Sequence, residues 1–269
     1  MNLQDRVVVI TGAGSGIGRA TALAFAEKGA RVAACDVHQP NLDSLTKELG
    51  DRALLVRKVD VSDRLAMRLF ADEVHGHVAA ADIVVNNAGV AIGASFLETS
   101  LEDFDWLLGV NLKGVIHGCH FFLPRMVERG TGGHIINVSS IFGIFAPPHV
   151  SAYCTSKFAV RGFSQSLREE MAAHKIGVTA ICPGMIATGI IEGGRMAGTT
   201  ADRKGMLAKT FSERGAPPGK VAKAILDAVR TNPAVRTVGA DARVLAALTR
   251  VAPRTLSRLG GQIQRRFGV

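Results

Sequence analysis

Apolar residues gather in short, β-branched runs along the chain, and longer stretches with helical spacing separate them. "RVVVI" (6–10) opens the series; a helix-like segment from Gly16 to Lys28 follows, then "RVAAC" (31–35). "ALLVRKV" (53–59), "ADIVV" (81–85), "GHIINV" (133–138) and "GVTAI" (177–181) repeat the theme. Strands that are apolar almost throughout are buried on both faces, and alternating β and α units supply the helices that cover them. The pattern predicts an α/β fold, a doubly wound parallel sheet with helices on both faces. A single domain is expected over 1–239, with 240–269 as a C-terminal helical extension.

Two stretches interrupt the rhythm. Residues 188–219 hold many glycines, mixed charges and no clear strand, and read as a mobile insertion. After Gly239, Val244, Leu248, Val251, Leu259 and Ile263 recur at helical spacing with arginines between them. That tail is basic and amphipathic, and Pro253 and the Gly260–Gly261 pair are expected to break or kink it.

With 269 residues, 47% hydrophobic and 20% charged, the chain has the composition of a soluble globular protein. No apolar run approaches the roughly 20 residues that span a bilayer. The N-terminus enters a strand-like run without the features of a signal peptide, so a cytoplasmic location is the default expectation. Cys35, Cys119, Cys154 and Cys182 are scattered, with no metal-ligand spacing, and read as reduced, mostly buried thiols. The net charge of +9 is uneven: from Arg236 onward seven arginines face one acid, Asp241, so six of the nine charges lie in the tail. A basic appendage, rather than a nucleic-acid-binding core, accounts for the charge.

"VVVITGAGSGIGRA" sets a buried-strand run directly before a glycine-rich turn and a helix. Glycines there let backbone approach a pyrophosphate, and the helix N-terminus offers free N–H groups and partial positive charge. The strict G-x-G-x-x-G is absent; Thr11-Gly12-x-x-x-Gly16-x-Gly18 stands in its place. Tight turns also use glycine for conformational reasons alone, but the strand before and helix after favour dinucleotide binding and a Rossmann-like fold. Asp36 closes the second strand eighteen residues past Gly18. An acid there accepts hydrogen bonds from ribose hydroxyls and repels a 2′-phosphate, so NAD is favoured over the alternative, NADP.

"YCTSK" places the chain's only tyrosine, Tyr153, one helical turn before Lys157. A phenol with a pKa near 10 is a poor base at neutral pH, and an adjacent cation is expected to make it more acidic. Such a tyrosine takes a hydroxyl proton as hydride leaves carbon, or returns it in reverse. Ser140, in "NVSSIFG" at a strand end, is suited to hydrogen-bond the substrate oxygen. Singly these residues have plain structural readings; their conjunction behind a nucleotide-binding turn shifts the weight.

Together the motifs make the chain resemble a short-chain dehydrogenase/reductase, with matching elements in order from Thr11 to Thr188. The resemblance implies cofactor contacts from the turn Thr11 to Gly18, including Gly12, Ser15, Gly16 and Ile17. It implies that Asp60 and Val61 flank the adenine and that "NNAG", with Asn87, Ala88 and Gly89, lines the cofactor. Asn111 in "VNLKG" matches the asparagine whose helix backbone holds a water in the proton relay. Ser140, Tyr153 and Lys157 match the catalytic serine, tyrosine and lysine, and Lys157 would also bond the nicotinamide ribose. Pro183, Gly184, Ile186 and Thr188 match the segment over the nicotinamide, which makes 188–219 the substrate-loop region. No catalytic position departs from the family pattern, and no metal is called for.

Phe142, Phe145, Pro147–Pro148, Met185, Ile190, Ile191 and Phe96 suggest an apolar alcohol or ketone as substrate, although several of them have an equally good reading as packing residues. His149 is the polar exception among these. The implied reaction interconverts a secondary alcohol and a ketone. The rival reading is a dinucleotide-sensing regulatory protein without turnover, whose expected mark, loss of the tyrosine or lysine, is missing. The family implies a homodimer or homotetramer. Packing of the tail is favoured over peripheral contact with a membrane, and no nucleic-acid partner is expected.

Overall fold

A computed structural model of the chain describes residues 2–251. In chain order the first half runs β1 (Val7–Thr11), α1 (Gly16–Glu27), β2 (Arg31–Asp36), α2 (Gln39–Leu49), β3 (Ala53–Lys58), α3 (Arg64–His77), β4 (Ile83–Asn86), β5 (Ile92–Gly93), α4 (Leu101–Leu108) and α5 (Gly114–Arg129). The second half runs β6 (Gly133–Val138), α6 (Ser151–Met171), β7 (Ile176–Pro183), β8 (Arg195–Met196), α7 (Thr199–Asp202), α8 (Lys204–Arg214), α9 (Pro218–Thr231), β9 (Val235–Val238) and α10 (Ala240–Val251).

Seven strands form one parallel sheet in the order β3-β2-β1-β4-β6-β7-β9. The Rossmann-like, doubly wound architecture expected from the sequence is therefore the observed one. Successive strand residues point to opposite faces, so β1 is split between two cores. Val7 and Val9 pack with Met67 and Phe70 of α3, Phe122 of α5 and Val160 of α6. Val8 and Ile10 pack with Phe25 of α1, Leu45 of α2 and Ile225 of α9. Burial on both sides is why the strand runs read as uninterrupted apolar blocks.

Strand order reverses between β1 and β4, and ligands of open α/β sheets bind at the carboxyl ends of such a pair. The glycine turn leaves β1 there and "NNAG" leaves β4 there. Buried Asp82 steadies the opposite end, accepting from Val7 N (2.8 Å), Arg6 (2.8 Å) and Arg129 (3.0 Å).

Three features differ from the sequence reading. Edge strand β9, "VRTV", was not anticipated; its exposed side carries Arg236 and it is four residues long, so it lacks the apolar block of an inner strand. Residues 188–219 do contain a strand, β8, paired with β5, and two helices, α7 and α8. In the tail, Val244, Leu248 and Val251 lie on α10 and are exposed, whereas Pro253, Leu259, Gly260–Gly261 and Ile263 lie outside the described residues. Among those described, no helix is long and apolar enough to cross a membrane.

Candidate active site

At the phosphate end, Ser15 precedes α1 in extended conformation, and its side chain caps none of the helix's first amides. Those N–H groups remain available to an anion, with the helix dipole behind them. Gly16 has φ of +50°, and a Cβ there would lie 3.0 Å from Cγ2 of Thr188, so the segment after β7 closes over the turn. A Cβ on Gly18 would lie 2.0 Å from the Gly12 carbonyl oxygen, which explains the glycine inside the helix. Ile17, in the first turn of α1, is half-buried and packs against the core. A cradle of bare amides and glycines, floored by Thr188, fits a dinucleotide pyrophosphate.

The Thr11 hydroxyl turns inward. It accepts the Asn87 (3.0 Å) and Ala88 (3.1 Å) amides, while Asn87 Nδ2 donates to the carbonyls of Thr11 (3.0 Å) and Gly12 (3.1 Å). Thr11 is 2% exposed, and its side chain fastens "NNAG" to the turn. At the end of β2, Asp36 Oδ2 accepts from Gly14 N (2.9 Å) and Oδ1 from His38 N (3.0 Å). The carboxylate is thus aimed beside the glycine turn. Asp60 accepts from the Ser62 amide (2.9 Å) and hydroxyl (2.7 Å), and Val61 is buried against Gly114.

At the catalytic end, α6 carries Tyr153 and Lys157 toward the ends of β4 and β6. The Lys157 ammonium lies 5.6 Å from the Tyr153 ring centroid and donates to the Val138 carbonyl at 3.1 Å. Ser140 follows β6; its Oγ accepts the Phe142 amide at 3.1 Å, and the phenol meets that same hydroxyl. A Cβ on Gly89 would lie 3.3 Å from Asn111 Oδ1 and 3.4 Å from Lys157 Nζ, so "NNAG", Asn111 and Lys157 converge. Asn111 occupies a π-helical turn, Gly109–Lys113, between α4 and α5. Such turns shift the backbone carbonyl pairing and recur at functional sites. Its side chain accepts from Val90 N (2.8 Å) and donates to Val90 O (2.9 Å) and Ser156 Oγ (3.2 Å).

Electrostatics reverse one expectation. The phenol was expected to be acidified by its cationic neighbour, yet its pKa is pushed up to about 12. Burial is the largest cause; the Ser140 hydrogen bond works against it and Cys154 reinforces it. Lys157, 3% exposed, is pushed down to about 8, again mainly by burial, with Cys182 opposing. Desolvation penalises the charged form of each group and outweighs the Ser140 hydrogen bond at the phenol and the Cys182 attraction at the ammonium. All four cysteines are buried and unpaired, and burial raises Cys154 to about 11, so it has no nucleophilic character.

Pro183 ends β7, Gly184 N donates to Val238 O (2.8 Å), and buried Ile186 bridges to Ala216. Sequence reasoning missed what holds this segment. Asp241, in the first turn of α10, accepts the Met185 amide at 2.8 Å, and its carboxylate lies against Gly184. Its one sequence signal was that it is the only acid in a basic tail. A second unanticipated contact is Arg195 of β8, which pairs with Asp103 at 2.6 Å and lies 3.8 Å above the Trp106 ring, clasping the substrate-loop region to α4. Of the suggested apolar residues, Phe142 stands edge-on to Tyr153 at 6.3 Å and Ile191 is buried. Phe96 faces outward, 68% exposed, and pairs with Phe104.

Comparison with known proteins agrees with this geometry. A family model for short chain dehydrogenases matches residues 6–196. The chain belongs to the short-chain dehydrogenase/reductase family. It is 44% identical over 260 residues to the probable oxidoreductase EphD of Mycobacterium tuberculosis, covering 94% of this chain and 44% of that protein. The chain thus spans less than half of that relative's length. It is 37% identical to the putative oxidoreductase SadH of the same organism, covering 96% of this chain and 95% of that one. A Burkholderia phymatum short-chain dehydrogenase/reductase, solved in complex with NAD, superposes with a TM-score of 0.87 at 26% identity, covering 93% of this chain and 94% of that one. The chain therefore has the Rossmann-like fold of this family.

Proposed function

We propose that the protein interconverts a secondary alcohol and a ketone on an apolar substrate, with NAD as the hydride carrier and Tyr153 as acid/base. The observation that carries this reading is the convergence of Ser140, Tyr153, Lys157 and Asn111 beside the glycine turn, at the reversal in strand order. The α1 amides and Gly12–Gly18 would hold the pyrophosphate, Asp36 the adenosine ribose, Asp60 and Val61 the adenine, and Asn87–Gly89 with Lys157 the nicotinamide ribose. Pro183, Gly184, Ile186 and Thr188 would hold the nicotinamide amide. Both Asp36 oxygens already accept an amide and retain a lone pair for a ribose hydroxyl, whereas a 2′-phosphate would meet a fixed negative charge. When bound, the nicotinamide supplies the hydride donor or acceptor.

The chain's own residues handle the proton. With a pKa near 12, Tyr153 is protonated at neutral pH and ready to donate to a ketone oxygen that Ser140 orients. Lys157, near 8, exchanges a proton close to physiological pH and is suited to restore the phenol. Because the Asn111 side chain is engaged by Val90 and Ser156, its contribution to a relay falls to its backbone carbonyl. Phe142 and Ile191 support an apolar substrate. Assembly into a homodimer or homotetramer and a cytoplasmic location belong to the same proposal.

Tyr153→Phe tests the reading. Turnover of hydrophobic secondary alcohols with NAD should fall by at least about a hundredfold, while NAD affinity stays within about threefold of the parent. A dinucleotide-sensing protein would show no turnover in either chain, and turnover restricted to sugars or charged acids would refute the apolar substrate.

A further inference from the structure

We propose that the cavity between α6, β9 and α10 binds a small oxyanion with a short apolar body, a carboxylate or phosphate monoester, gripped by Arg161 and Arg243. The cavity has a volume of about 580 Å³, within the range of small-molecule sites. Arg161 and Gln165 reach it from α6, Thr237 from β9 and Arg243 from α10. Ile144 and Val235 add apolar wall, and among the described residues no acidic side chain lines it. Neither arginine takes part in any ion pair among the described residues.

The second observation concerns Arg161 Nε, which is buried and has no hydrogen-bond partner among the described residues. Buried polar groups of folded proteins are almost always satisfied, and a charged donor is the costliest to leave unmet. The guanidinium lies 5.2 Å from the Phe158 ring centroid, which limits its orientations. Two guanidinium side chains that line one cavity, with no carboxylate of the described residues to pair them, select a ligand that brings its own oxyanion. The apolar wall selects one whose remainder is aliphatic. The site stands apart from the oxidoreductase reading, since its lining includes none of the residues assigned to cofactor or catalysis.

Calorimetric titration of the full chain with hexanoate, hexyl phosphate and neutral 1-hexanol tests this. One anion should bind per chain, at least tenfold more tightly than hexanol, and Arg161→Gln and Arg243→Gln should each weaken it at least tenfold. Arg243 is exposed, so if Arg161→Gln fails to fold, Arg243→Gln decides the matter alone. Equal binding of hexanol, unchanged affinity in the variants, or no anion binding at all overturns the proposal. So does a change of sedimentation state in either variant without anion binding, which would mean that a second copy of the chain covers the cavity.

Discussion

Replacing Lys157 by methionine separates what this residue costs the fold from what it does in the site. The ammonium is 3% exposed and donates to Val138 O at 3.1 Å. Burial lowers its pKa from 10.5 to about 8, a drop equivalent to about 3 kcal/mol of ammonium destabilisation. Methionine keeps an unbranched chain and forfeits one hydrogen bond, worth about 1 kcal/mol. At pH 7 the variant should therefore be more stable than the parent by about 2 kcal/mol. Below pH about 8 the lysine is protonated folded and unfolded, and the folded chain bears the whole penalty. Between about 8 and 10.5 the folded chain has released a proton that the unfolded chain keeps, so the parent gains stability as pH rises. Above that window the penalty is gone, and the variant is left about 1 kcal/mol less stable than the parent. Other ionisable groups are common to both chains and largely cancel. Urea unfolding followed by circular dichroism at pH 7, 9 and 10.5 reads the difference directly. A difference that stays flat across this range, or a parent more stable at pH 7, refutes the burial argument.

Gly18→Ala should cost about 3 kcal/mol in urea unfolding, because the new methyl lies 2.0 Å from the Gly12 carbonyl oxygen and backbone must move. Asp36→Ala should shift the ratio of kcat/KM for NADP over NAD upward by about tenfold; an unchanged ratio would remove this carboxylate from cofactor selection. Asp241→Ala frees the Met185 amide and loosens the segment from Pro183 to Thr188. It should raise KM for NAD about fivefold, roughly 1 kcal/mol, with kcat nearly unchanged. A fall in kcat alone would contradict that positioning role.

Inner strands were legible in the sequence because a parallel strand buried on both faces must be mostly apolar, and β1, β2, β4, β6 and β7 are, with polar residues few and set mainly at strand ends. The glycine turn and the pair Tyr153 and Lys157 were legible for a similar reason: their chemistry needs residue types at fixed local spacing. Edge strand β9 escaped because one flank is open and the alternation is only four residues long. Only the tertiary structure decided the sign of the phenol's shift, since burial depends on elements distant in sequence, and here it exceeds the opposing Ser140 hydrogen bond. The same holds for Asp241 on Met185 and for Arg195 between Asp103 and Trp106. In each case the partners are brought together by chain crossovers, and no spacing along the chain encodes the meeting.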